Sequence, residues 1–169
     1  MFSYTAAFSV AAAMGGAVET TSVDLAKRSR ELSTAHFEAN GFNMDNHRLV
    51  VMDVFDYFKY AKKKGLSYDL IVIDPPSFAR NKKRTFSANK DYHKLIAQSL
   101  DILSEHGTII ASTNAANMTV QQFKKQLRKG LGDVTADFVN LQQLPADFTV
   151  NPNDPTSNYL KVYTIRVNK

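Results

Sequence analysis

An α/β fold with a mostly parallel sheet, closed by a C-terminal antiparallel hairpin, is predicted by three features of the sequence. Short apolar runs alternate with longer amphipathic stretches, most of which stop at a glycine. The runs are close to continuously apolar, as strands covered on both faces must be. The last two runs are joined by the turn-rich NPNDPTSN with no helix between them, so they return on one another as antiparallel neighbours.

Taken in order, the N-terminal FSYTAAFSVAAAMGGA is apolar and ends in small residues, yet it lacks a basic start and Ser3, Tyr4, Thr5 and Ser9 interrupt it. A buried alanine-rich helix over residues 8–14 is expected in place of a secretion signal, and with it a cytoplasmic location. ETTSVDL (19–25) reads as a strand closed by an acid, and 26–40 as a helix ending at Asn40-Gly41. HRLVVMD (47–53) and the amphipathic stretch 54–64, stopped by Gly65, repeat that unit. YDLIVID (68–74) is a third strand, ended by Pro75-Pro76, which remove two backbone donors and block a helix. A basic loop follows. The spacing of Leu95, Ile96, Leu100 and Leu103 predicts a helix over 90–105, broken by Gly107 ahead of a strand at 108–111. Residues 119–129 form a basic amphipathic helix ended by Gly130, and 138–144 and 159–167 are the closing strands.

With 169 residues, 44% of them hydrophobic and 22% charged, the chain can bury its own core, so one domain over 1–169 is expected without a disulfide or metal staple. It contains no cysteine, which removes thiolate zinc sites, iron–sulfur clusters and any cysteine nucleophile from this chain. No apolar run is long enough to span a bilayer, so no membrane partner is expected. The net charge is +5, which favours polyanionic partners. Between 80 and 94, Arg80, Lys82, Lys83, Arg84, Lys90 and Lys94 stand against the single acid Asp91, an excess equal to the whole net charge. Such a segment is either a solvated loop or, with Phe86 and Tyr92 interleaved, a surface for phosphates and stacked bases. Lys124, Lys125, Arg128 and Lys129 read as the solvent face of their helix.

Ligands of a parallel sheet bind outside the carboxyl ends of its strands, where Asp24, Asp53 and Asp74 all fall. A carboxylate there can accept from a ribose diol or an adenine; each Asp can equally cap the helix that follows. A G-x-G-x-x-G fingerprint is absent, so a cofactor without a pyrophosphate fits better than a dinucleotide, and nicotinamide chemistry is disfavoured. In DPPSFAR (74–80) the two prolines hold an extended backbone whose carbonyls can meet a ligand, with Phe78 either a stacking platform for a base or an ordinary core residue. His36, His47, His93 and His106 show no metal-ligand spacing, so no metal is expected; His93 reads as a surface or helix-packing residue.

DPPSFARNKK, the preceding YDLIVI, KDYHKL, the opening FSYTAAFSV with MGGA, and SVDLAKRS resemble the class I S-adenosylmethionine-dependent methyltransferases of large-subunit ribosomal RNA, over nearly the whole chain. The chain is most similar to the branch whose full-length members carry an RNA-binding PUA domain and include 5-methylcytosine enzymes. The resemblance implies a Rossmann-like sheet with S-adenosyl-L-methionine as cofactor and ribosomal RNA as partner. It places Phe2, Ser3, Tyr4 and Thr5 around the methionine part of the cofactor, Asp24 with Leu25 at the ribose, Asp53 with Val54 near the adenine, and Asp74, Pro75 and Phe78 on the target-base side, Asp74 also touching the cofactor. Arg80, Lys82, Lys83, Arg84 and Lys90 then meet the RNA.

Three departures bear on what the resemblance implies. Ala6-Ala7 stand where the family pattern has two glycines. The chain starts where the family's first strand is ending, which implies a fragment of a longer gene, or a gap filled by another segment or subunit; a homodimer is an expected partner arrangement. Where the 5-methylcytosine members carry a Cys nucleophile, this chain has Asn114, and Ser112-Thr113-Asn114 is similar to the SNN string of related guanine-N7 enzymes. A ring nitrogen already has a lone pair, so the transfer needs alignment and no covalent adduct, with Asn114 orienting the base. The competing reading is an inactive truncated domain that binds RNA.

Overall fold

The computed structural model describes residues 1–81 and 85–169, which form two compact units, Met1–Tyr60 and Ala61–Lys169. The first holds α1 (Ala7–Met14), β1 (Thr20–Asp24), α2 (Arg28–Ala39), β2 (His47–Val51) and the opening of α3 (Val54–Lys63). β1 and β2 are parallel, with Thr20 opposite His47 and Asp24 opposite Val51, so both strands release the chain at one edge. Ala6, Val10, Ala13 and Phe37 form the core of this unit. The Phe37 ring stacks on His47 at 4.6 Å, and the His47 Nδ1 meets the Thr20 hydroxyl at 3.0 Å, which satisfies a buried imidazole. α1 is the expected alanine-rich helix, but it is covered on one side only: Val10 and Ala13 are buried while Phe8 and Met14 are exposed.

The second unit contains β3 (Tyr68–Ile73), a hairpin of β4 (Phe78–Arg80) and β5 (Thr85–Ser87), α4 (Ala88–Leu100), β6 (Leu103–Thr113), α5 (Val120–Leu131), β7 (Thr135–Gln142) and β8 (Lys161–Asn168). Its four-stranded sheet runs β3-β6-β8-β7, with β3 parallel to β6 and β8 antiparallel to both neighbours. The closing hairpin and the mixed sheet are therefore as the sequence predicts. β7 lies at the edge, and its register with β8 slips between Phe138 and Asn140. No helix among the described residues is long and apolar enough to cross a membrane.

Three elements differ from expectation. α4 stops at Leu100, and Leu103 opens β6 instead of closing a helix. Leu103 fits either period, because β6 takes a bulge there: Tyr68 pairs with Leu103 but Leu70 with Thr108, and His106 turns the excess chain at φ 57°. Gly107 lies inside that strand, where a Cβ would stand 2.6 Å from the Leu103 Cγ. The basic loop is in part the β4–β5 hairpin, with Phe78 opposite Ser87 and Arg80 opposite Thr85. Lys82, Lys83 and Arg84 lie outside the described residues.

Gly130, expected to end α5, is within it; Gly132 with φ 58° ends the helix. Thr119 and Gln122 form the capping box at its start. A Cβ on Gly130 would stand 2.5 Å from the His93 carbonyl oxygen and 2.5 Å from the Ile96 Cβ, so the glycine marks where α5 crosses α4 at backbone contact. Alanine gains about 1 kcal/mol over glycine in an open helix, whereas overpacking costs about 1–3 kcal/mol. Gly130→Ala should therefore lower the midpoint of urea unfolding; a raised midpoint would mean that the crossing can open without cost.

Candidate functional site

In the first unit the site is built on the loop before α1. Phe2, Tyr4 and Ala6 have φ of 60°, 47° and 59°, a left-handed conformation that costs a non-glycine residue about 1–2 kcal/mol. Side chains of β1 and α2 hold the loop there. The Tyr4 N–H donates to the Asp24 Oδ2 at 2.9 Å, the Ser33 hydroxyl donates to the Tyr4 carbonyl at 3.1 Å, and the His36 Nδ1 lies 2.9 Å from the Thr5 carbonyl. A carbonyl only accepts, so His36 carries its proton on Nδ1. The Ser3 N–H donates to the Val23 carbonyl at 3.0 Å. Phe2, Ser3, Tyr4 and Thr5 are thus gathered beside the end of β1, and Ala6, buried at 1% exposure, takes a conformation that a glycine would take freely.

Asp24 does not cap α2. Its Oδ1 accepts from the Ala26 N–H at 2.9 Å in a local turn, and α2 begins after Lys27 with no side-chain cap. A carboxylate offers about four lone-pair positions, and two here take backbone N–H groups, so acceptors remain for a diol. The recess beside it is also lined by Ser3, Ser22, Ser29 and Ser33, and the buried Ser29 hydroxyl has no hydrogen-bond partner among the described residues. A polar ligand bearing hydroxyls fits that set. Asp53 is a helix cap, its Oδ1 accepting from the Phe55 and Asp56 N–H groups at 3.0 and 3.3 Å. Leu25 is 53% exposed next to Asp24, whereas Val54 is buried at 3%.

In the second unit Asp74 and Asn114 follow the ends of the paired strands β3 and β6. The Tyr92 hydroxyl, on α4 and fully buried, reaches the Ile73 carbonyl at 2.9 Å and the Ser112 carbonyl at 2.8 Å, tying both ends together. Burial, helped by the Asp74 charge, holds the Tyr92 phenol well above its usual pKa. Pro75 is buried; Pro76 and Ser77 are exposed. The Ser77 hydroxyl donates to the Asn114 Oδ1 at 2.8 Å, joining the DPPS segment to Asn114. Phe78 is 63% exposed and so not a core residue; it is available for stacking. Phe86 and Tyr92 are buried and cannot serve as base platforms. Arg80 and Lys90 are exposed.

Three further polar residues of this unit pack against neighbouring side chains. The His93 Nδ1 meets the Gln126 Oε1 at 3.0 Å between α4 and α5, as a helix-packing histidine. Lys124 and Arg128 lie over the Phe138 ring at 4.9 and 5.8 Å, so the α5 cluster is partly a packing face and not purely a solvent face. Sequence reasoning missed Ser33, His36 and Lys161. Lys161 is 4% exposed, and its Nζ donates to the Ala115 and Tyr159 carbonyls at 2.9 and 2.8 Å. Its one signal is a cation at an inward position of an alternating strand, where burial lowers its pKa.

The family model described as S-adenosylmethionine-dependent methyltransferase matches residues 1–161. A Bacillus subtilis protein named as a candidate ribosomal RNA large subunit methyltransferase, YwbD, is 46% identical over 167 residues, 98% of this chain and 42% of that protein. Ribosomal RNA large subunit methyltransferase K of Neisseria meningitidis is 33% identical over 88% of this chain and 41% of its own length. A crystal structure of a candidate methyltransferase, SMU.776, complexed with S-adenosylhomocysteine, superposes with a TM-score of 0.95 at 72% identity, over 98% of this chain and 43% of that one. The chain thus spans less than half the length of these relatives.

The raised Tyr92 pKa fixes a pH response. The unfolded phenol ionises near pH 10 while the folded one keeps its proton, so the stability Tyr92 contributes is fully present below that pH and is lost as pH rises toward the folded value. Unfolding free energies measured from pH 8 to 11 should fall more steeply for the parent chain than for Tyr92→Phe; equal slopes would refute the assignment.

Proposed function

This chain belongs to the S-adenosylmethionine-dependent methyltransferase family, and we propose that it carries, over residues 1–169, the catalytic domain of an enzyme that methylates a base of large-subunit ribosomal RNA. The observation that carries this reading is Asp24 at the end of β1, whose carboxylate keeps accepting capacity in a recess shared with the Ser29 hydroxyl, which has no partner among the described residues. The names of the ribosomal RNA methyltransferase relatives support the substrate class. Two finer elements belong to the same reading: a cytoplasmic setting, and a second copy of the chain as partner, which sedimentation would read as a dimer.

S-adenosylmethionine, when bound, supplies an electrophilic methyl on a sulfonium centre. Asp24, with Leu25 beside it, accepts from the ribose hydroxyls. The backbone of Phe2, Ser3, Tyr4 and Thr5 bounds the methionine end, and Asp53 with the backbone of Val54 borders the adenine. On the target-base side, Phe78 offers its exposed ring for stacking, while Asp74, Pro75 and Asn114 orient the edge of the base, Asn114 held by Ser77. These 169 residues include no cysteine, so no thiolate of this chain can add to a pyrimidine ring. A ring nitrogen, which attacks with its own lone pair, is the acceptor that suits the residues present. Arg80 and Lys90, with Lys82, Lys83 and Arg84, hold the RNA backbone.

Asp24→Ala should weaken S-adenosylmethionine binding roughly 10- to 100-fold in a calorimetric titration, the loss expected for charge-assisted hydrogen bonds. Unchanged affinity would remove the ribose assignment, and no methyl incorporation into ribosomal RNA from labelled cofactor would remove the proposed activity. RNA affinity should fall linearly on a log–log plot against salt, with a shallower slope for an Arg80→Ala/Lys90→Ala double variant. A flat dependence in the parent chain would show that the basic segment does not meet phosphates.

A further inference from the structure

A buried lysine on the last strand has no evident duty in packing. Lys161 opens β8 opposite Thr113, the closing residue of β6, and its side chain continues past that rung to the Ala115 carbonyl. Among the described residues its ammonium is paired with no carboxylate; its partners are the carbonyls of Ala115 and Tyr159. An ammonium buried without a counter-charge is costly, and an apolar side chain of similar length would fill the space at less cost. What an apolar side chain could not do is donate to both carbonyls. The turn that Lys161 grips carries Asn114: the Ala115 N–H donates to the Thr113 hydroxyl at 3.3 Å, and the Ala115 carbonyl also accepts from the Met118 N–H at 3.1 Å. Asn114 itself is exposed and bound by Ser77.

We propose that Lys161 is a positioning residue for methyl transfer, fixing from β8 the turn that presents Asn114 to the target base. The proposal rests on the reading of Asn114 as a base-orienting residue, and it assigns the C-terminal strand a part in the chemistry. Its effect falls on the transfer step and not on cofactor binding, because the residues assigned to the cofactor's ribose and methionine end lie on β1 and the N-terminal loop.

The test compares the parent chain with Lys161→Met and Lys161→Arg. Single-turnover transfer at saturating RNA should fall roughly 10- to 100-fold in Lys161→Met, the loss that follows a small misplacement, while the S-adenosylmethionine Kd stays within about twofold. Lys161→Arg, which keeps two donors, should recover part of the rate. An unchanged rate in folded Lys161→Met overturns the proposal, as does an equal loss of cofactor affinity. If Lys161→Met does not fold, the parent chain decides: its Lys161 ammonium should exchange slowly in NMR spectra and show coupling through the hydrogen bond to the Ala115 carbonyl, and a freely exchanging ammonium overturns the proposal. A parent chain that shows this coupling but no methyl transfer to RNA would instead refute the proposed function.

Discussion

The Tyr92 hydroxyl has one proton and two carbonyl partners, those of Ile73 and Ser112, and the geometry of the segments that follow β3 and β6 depends on that shared bond. Where parallel strands run out, the last buried carbonyls lose their ladder partners, and an unmet carbonyl there would draw the chain ends toward water. A phenol supplied from α4 meets both at once. Strands β3 and β6 consequently deliver their outgoing segments from one fixed point, and the short reach of the Ser77 hydroxyl to Asn114 becomes possible. Tyr92 is held in turn by an edge-to-face contact with Phe123 at 4.8 Å, so the helices α4 and α5 set the position of the strand ends.

The loop before α1 solves a related problem with opposite means. It has too much conformational demand instead of too few partners: three non-glycine residues sit in left-handed backbone, and Asp24, Ser33 and His36 each take up a backbone group that such a path turns away from regular structure. Asp24 therefore has a structural duty beside its proposed one. Of the three strand-end acids, Asp53 caps its helix whereas Asp24 braces the loop.

What the sequence made legible follows from period and punctuation. Continuous apolar runs located every strand of the two parallel pairs, and Asn40-Gly41 and Gly65 marked true helix ends. Leu103 misled because one apolar residue satisfies a helical and an extended period alike, and Gly130 because a glycine at a close helix crossing has the same letter as one at a helix end. Phe78 and Phe86 show the limit most directly. Ala79 pairs with Phe86 and Phe78 with Ser87, so Phe78 and Phe86 fall on opposite faces of the β4–β5 hairpin, one exposed and one buried. Nothing in their local sequence distinguishes them; the pairing register does. Lys161 was illegible for a similar reason, since one of its two acceptors, the Ala115 carbonyl, belongs to a turn far away in the chain.

The slip in register between Phe138 and Asn140 bears on self-association. An unpaired outer strand is a template on which another molecule can add a strand of its own, and proteins discourage this by distorting the edge or setting cations along it. β7 takes the first course, with a bulge at its middle. A strand laid along the outer edge of β7 would lose its hydrogen-bond ladder where the register slips.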